Sequence, residues 1–294
     1  WSDYPEVNKA VNVIYEELSS DTSYSGHKKV RKKHLKVVIL DIYAKWLAHR
    51  DKYTGIYFRK SEYVAHSRYN AIHISTVVIS IVEQLEKYGF LEKVKGSYGR
   101  DGEHGSYVTR IKATKKLINL IIEHEWREEM VDMARNRECI ELRDYNEEKD
   151  KQVPVEYEDT PDTIRMRKDL TAYNNLIRDA HIDVLGFPEK GIKKVSIVRG
   201  RKHTWLFHIQ RNQKFTRRIF NNGSWDNGGR FYGPWWQQIP NGKENGAWRK
   251  HIYIMGMPTV EIDYSGLHIV LLYALENLDY WSVDGEDPYS LPGY

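Results

Sequence analysis

Between Leu35 and Ile122 the apolar residues change their spacing several times, and the order of those changes restricts the fold more than any other feature of the chain. Leu35, Val38, Ile39, Ile42, Tyr43 and Trp46 recur at intervals of three and four, which predicts one amphipathic helix. Ile56-Tyr57-Phe58 reads as a short strand, and Ser61 can cap a second helix reaching about Arg68. A third helix is expected from about Ser75 to Tyr88, with Val78, Ile81, Val82 and Leu85 inward. Gly89 supplies its stop, since glycine reaches positive φ without cost. Two strands, Leu91 to Lys95 and Tyr107 to Ile111, flank a Gly-rich charged tip from Gly96 to Gly105, and Thr114 caps a closing helix.

Helix, strand, helix, helix, hairpin and helix in that order read as a winged helix-turn-helix. Such a unit places its third helix in the major groove and its wing beside the backbone. The expected contacts are Ser75 and Thr76, with His73 and Ser80, on the helix, and Lys93, Lys95, Arg100 and Arg110 on the wing. The competing reading is a winged helix that contacts only protein.

Charge agrees with a nucleic-acid partner. The net charge of +4 is small, but six of the nine residues from Lys28 to Lys36 are Lys or Arg. Ten acids crowd Glu138 to Asp162, and ten Lys or Arg against one acid occupy Glu189 to Phe220, Arg217 and Arg218 among them. A local patch, not the global sum, sets the field that phosphates meet. Nine Trp and 21 Tyr are many for this length, six of the Trp lie from Trp205 onward, and rings among cations suit stacking on bases. A single cysteine, Cys139, excludes an internal disulfide or a cysteine zinc cluster and fits a cytoplasmic location. No apolar run is long enough to predict a membrane span.

The expected class is α+β. Its layout is a helical N-terminus and winged-helix domain over residues 1–142, an acidic linker over 143–161, and a mixed region over 162–294. Thr160-Pro161-Asp162 makes a helix start, Val195 to Val198 and Thr204 to Ile209 read as strands, and Val260 to Asp263 reads as a short strand before a helix from Leu267 to Leu278.

Five segments of this last region carry a resemblance. Asp226-Asn227-Gly228-Gly229-Arg230, Trp236-Gln237-Gln238-Ile239-Pro240, Trp248-Arg249-Lys250-His251-Ile252, Val260-Glu261-Ile262-Asp263-Tyr264-Ser265 and Gly285-Glu286-Asp287-Pro288-Tyr289 follow one another. In order and spacing they resemble motifs of family A-type and single-subunit phage-type polymerases, the fourth being similar to the Asp-Tyr-Ser core of motif A. The resemblance implies a partial polymerase palm. Within it Asp263 would bind Mg²⁺, or Mn²⁺ in its place, through its side chain and Tyr264 through its carbonyl, with nucleoside triphosphates and a DNA or RNA template as partners. Arg230, Arg249 and Lys250 would hold strand phosphates. His268, where the DNA polymerases carry Glu, is similar to the RNA polymerases and implies tolerance of ribonucleotides. An aspartate fixed at the end of an apolar strand suits two-metal phosphoryl transfer in its own right.

The family's fingers helix and second carboxylate motif are not found before Tyr294. The leading expectation is therefore a polymerase- or primase-type nucleotidyltransferase with a winged-helix DNA-binding module. The alternative is a non-enzymatic replication initiator or regulator with a degenerate polymerase-like domain. An interaction protein with an aromatic docking surface comes third.

Overall fold

The computed structural model describes residues 1–20, 26–48, 50–97, 108–132, 134, 136–188, 191–198, 201–240, 247–262, 264 and 266–283. Asp263, Ser265, Arg100, the basic turn Arg199-Gly200 and the Gly285–Tyr289 segment lie outside these residues. The chain is α+β, as its spacing predicts.

Helices α1 (Pro5–Ser19) and α2 (Lys28–Ala48) pack through Val7, Val11, Ile14 and Leu18 on one side and Leu35, Ile39 and Ile42 on the other. Strand β1 (Thr54–Ile56), helix α3 (Val77–Lys87), strands β2 (Leu91–Val94) and β3 (Thr109–Ala113) and helix α4 (Lys115–Glu123) complete this core. The sheet is antiparallel in the order β1-β3-β2, so β3 is central and the β2–β3 hairpin projects from it. Helix α3 ends as its glycine demands: Gly89 takes φ +73, its N–H donates to Glu86 and the Phe90 N–H donates to Leu85. Phe90 and Leu85, both buried, close that turn apolarly.

The helix expected from Ser61 to Arg68 contracts to one 3₁₀ turn, Lys60–Glu62. Side chains beyond it are engaged elsewhere. Asn70 bridges the Val64 and Ile74 carbonyls through Nδ2 and accepts from the Ile74 N–H through Oδ1. Ser67, Arg68 and Tyr69 bond to residues far along the chain. Local side-chain bonding of this kind competes with helix formation.

The acidic stretch 143–161 is not a bare linker. Strands β4 (Ile140–Asn146) and β5 (Lys151–Pro154) form a hairpin there, and β4 lies inside a four-stranded sheet of order β10-β9-β4-β5, with β9 (Arg217–Phe220) and β10 (Gly228–Tyr232). The acids obscure it because they gather in the turn Glu147-Glu148-Lys149-Asp150, while only Ile140 and Leu142 supply the alternating apolar signal. Helix α5 (Pro161–Asp179) follows, started by a capping box in which the Thr160 side chain accepts the Thr163 N–H and the Thr163 hydroxyl accepts the Thr160 N–H. It covers one face of the sheet through Met166 and Leu170.

Beyond α5, β6 (Ile182–Val184) joins β11 (Ile252–Ile254) and β12 (Met257–Pro258) in a small sheet, and β7 (Ile192–Val198) pairs with β8 (Arg201–Phe207). The strand expected over Val260–Asp263 is not formed by its described residues: Val260 and Ile262 are 83% and 82% exposed. An apolar strand needs a neighbouring strand to take its backbone hydrogen bonds, and no described strand pairs with this segment. Helix α6 (Leu267–Leu275), apolar around its circumference, exposes Leu271, Leu272 and Leu275, and α7 (Tyr280–Val283) packs Tyr280 against its Tyr273. No described helix is long and apolar enough to cross a membrane.

Candidate nucleic-acid interface

The start of α3 is fixed from α2. His34, buried within the basic run, donates from Nδ1 to the Val30 carbonyl at 2.7 Å, so its Nε2 accepts the Ser75 N–H at 2.9 Å and faces the Ser75 hydroxyl at 3.0 Å. Burial, reinforced by the nearby Lys33 and Arg31, holds this imidazole below its ordinary pKa, with the Val30 contact acting the other way. Lys33 Nζ donates to the His73 carbonyl, and His73, at φ +50, bonds the Ala65 carbonyl through Nδ1. Ser75 is therefore an anchor. Thr76 is the exposed residue at the helix start, its hydroxyl making no cap bond. Lys29, one turn before Lys33 on α2, is exposed.

On the hairpin Lys93 pairs with Glu86 and Lys112 with Glu92; Lys95 and Arg110 are exposed. Arg100 lies outside the described residues.

Strand register sorts the predicted arginines of the second unit. Arg218 stands opposite Ile140 and Phe231; Arg217 stands opposite Tyr232, and Ile219 opposite Glu141 and Arg230. Side chains alternate along a strand, so Arg217, Arg230, Glu141 and Arg143 share one face, and Arg218, Phe220 and Phe231 share the other. On the first face Glu141, buried, accepts from Arg143 Nε at 2.6 Å and pairs with Arg217 Nη1 at 3.3 Å. Arg137 lies close by, its cation 4.9 Å from the Phe215 ring, and burial together with Arg217 pulls its pKa down. Arg230 is exposed at the edge. The glycines before it serve the sheet: Gly228 and Gly229 take φ +93 and +75 across a register shift. On the opposite face Arg218 donates from Nε to the Gly229 carbonyl at 2.9 Å and from Nη1 to Met166 Sδ at 3.0 Å.

Arg249 and Lys250 sit apart from these, on a 3₁₀ turn (Trp248–His251) before β11. Arg249 pairs with Glu261 at 3.2 Å and Lys250 is exposed. Tyr264 and His268 are exposed at the start of α6. Among the described residues no three His, Cys, Asp or Glu side chains converge, and Glu261 already faces a guanidinium. Asp263, the metal ligand that the resemblance implies, lies outside the described residues.

One cluster escaped the sequence patterns. Arg68 donates to the Tyr157 carbonyl at 2.6 Å and to Asp159 at 3.0 Å, with its cation 3.6 Å from the Tyr157 ring. Arg167 grips Glu138 and Asp159, and the Tyr69 hydroxyl donates to the Val155 carbonyl at 2.8 Å while accepting the Leu142 N–H at 3.2 Å. These bonds clamp the segment before α3 to the central sheet. Their only sequence signal was the acidic block itself, which gave charge without naming partners.

Comparison with known protein families, with curated proteins and with solved structures returns no match.

Proposed function

We propose that this chain is the nucleic-acid-holding module of a template-directed nucleotidyltransferase. The observation that carries the nucleic-acid part is the helix order with the β1-β3-β2 sheet, which supports the winged-helix reading, together with the exposed Thr76 at the start of α3, near which Lys33 of α2 bonds the His73 carbonyl. In this reading α3 enters a groove. Lys29, Lys95 and Arg110 meet backbone phosphates, and the Arg217–Arg230 face tracks the same strand.

The nucleotidyltransferase part is supported by the ordered resemblance from Asp226 to Ser265 to polymerase motifs, with Asp263 as the Mg²⁺ ligand and Tyr264 and His268 beside it. A divalent ion there would neutralise charge on a triphosphate. The chain's own contribution is to present strand phosphates to Arg230, Arg249 and Lys250. Primer extension with Mg²⁺ tests this part: activity abolished by Asp263→Ala supports it, and unchanged extension by that variant overturns it.

A non-enzymatic replication initiator or regulator is the second reading. The pairing of Glu261 with Arg249 favours it. Duplex binding without any metal-dependent extension would select it.

A further inference from the structure

A cleft of about 500 Å³ opens between α5 and the β9–β10 edge, on the sheet face away from Arg217 and Arg230. Three rings line it: Tyr173 from α5, Phe231 from β10 and Trp236 from the turn beyond. Phe231 is 53% exposed and Tyr173 43%, so both spend apolar surface on water around a concavity. Its polar complement is small. Arg218 comes from β9, Asp169 from the α5 face that also carries Met166 and Tyr173, Thr216 from the strand's approach, and Gln237, already bonded to the Phe231 carbonyl and the Gly233 N–H, from the turn beyond β10.

Three polar groups here are incompletely used. Arg218 employs Nε and Nη1 inside the protein, has its cation 5.6 Å from the centre of the Phe231 ring, and has no hydrogen-bond partner at Nη2 among the described residues. Asp169, exposed, has no partner among them either. The Thr216 hydroxyl makes no hydrogen bond although the residue is only 4% exposed. Unsatisfied buried polar atoms are uncommon and call for a reason.

A phosphate is a poor match for this cleft, because Asp169 offsets Arg218 and the walls are largely apolar. An aromatic side chain of a peptide would fill it but would leave the guanidinium and carboxylate unanswered. A planar heterocycle with acceptors and donors along its edge answers both. We propose that the cleft binds a guanine base, stacked on Phe231 and Tyr173, with Arg218 donating to its ring acceptors and Asp169 accepting from its N–H donors. The base comes from a free guanine nucleotide or from a single strand. The site stands on the cleft alone and does not need the duplex-binding face assigned above.

Calorimetric titration of the full chain with guanosine monophosphate, adenosine monophosphate, single-stranded oligo-dG and oligo-dT tests it. Guanosine monophosphate is expected to bind at least tenfold more tightly than its adenosine counterpart. Asp169→Asn and Phe231→Ala each weaken it by about tenfold or more while leaving duplex affinity unchanged. A preference for the mononucleotide over oligo-dG identifies a nucleotide site, and the reverse a strand site; both support the base pocket. Equal affinity for guanine and other bases, or guanine binding insensitive to both variants, overturns it. Loss of duplex binding with guanine binding intact would count against the interface and not against this cleft.

Discussion

Arg217 and Arg218 are consecutive, yet they serve opposite faces of one sheet: Arg217 Nη1 pairs with Glu141 Oε2 at 3.3 Å, and Arg218 Nε donates to the Gly229 carbonyl at 2.9 Å. Removing them should have separable effects. Arg218→Ala leaves the Gly229 carbonyl without its donor and strips a cation from beside Phe220, costing about 1–2 kcal/mol in chemical denaturation with little change in duplex affinity. Arg217→Ala, which leaves Glu141 its bond from Arg143, should weaken nucleic-acid binding more than folding.

The His34–Ser75 contact makes the start of α3 sensitive to acid. Burial keeps the His34 imidazole below its ordinary pKa, so the unfolded chain takes up the proton first. The contribution to stability is complete above the ordinary imidazole value of about 6.5, declines as pH falls through it, and levels off below the lowered folded value. Melting temperatures from pH 8 to pH 5 should fall more steeply for the unsubstituted chain than for His34→Gln. Parallel curves would show that His34 does not set the acid sensitivity.

The clamp between the two units should also register in stability. Arg68→Ala loses bonds to Tyr157 and Asp159 and a ring contact, all partly screened by water, and is expected to cost about 2 kcal/mol. Hydrogen bonds from Arg167 and then Arg68 hold the Asp159 carboxyl below its usual value. That contribution is present above the unfolded carboxylate pKa and is lost as pH falls through the folded one. Hydrogen exchange after Arg68→Ala should rise in residues 63–74 before it rises in α2.

Gly228 and Gly229 both occupy positive φ at the β9–β10 register shift, and an added Cβ at Gly228 would meet the Ile219 carbonyl at 3.0 Å. Gly228→Ala and Gly229→Ala should each destabilise the chain by about 1–2 kcal/mol through backbone strain. Thermal unfolding checks this, and unchanged midpoints would contradict it.

Much of the first unit was legible because its signals are local: the Leu35–Trp46 period, the Gly89 stop and the Thr114 cap each act within one turn of chain. The second short helix was not, since Ser67, Arg68 and Tyr69 are held by residues about 70 to 90 positions away, which local spacing does not encode. The β4–β5 hairpin hid for a related reason. Its central strand offers two apolar residues and a buried glutamate whose partners, Arg143 and Arg217, lie partly in another strand. At the site, composition located the cations, but only register could divide Arg217 from Arg218. The strand read at Val260 illustrates the converse: an apolar run states a need for partners without showing where they are.

In the proposed function phosphates are held by the Arg217–Arg230 face together with the α3 end of the first unit. Fluorescence anisotropy of a labelled DNA duplex across a salt series measures it, comparing the unsubstituted chain with Arg217→Ala/Arg230→Ala. Log affinity is expected to fall linearly with log salt, with a slope shallower by about two in the double variant, one for each lost contact. Binding that ignores salt, or the same slope in both proteins, would contradict it.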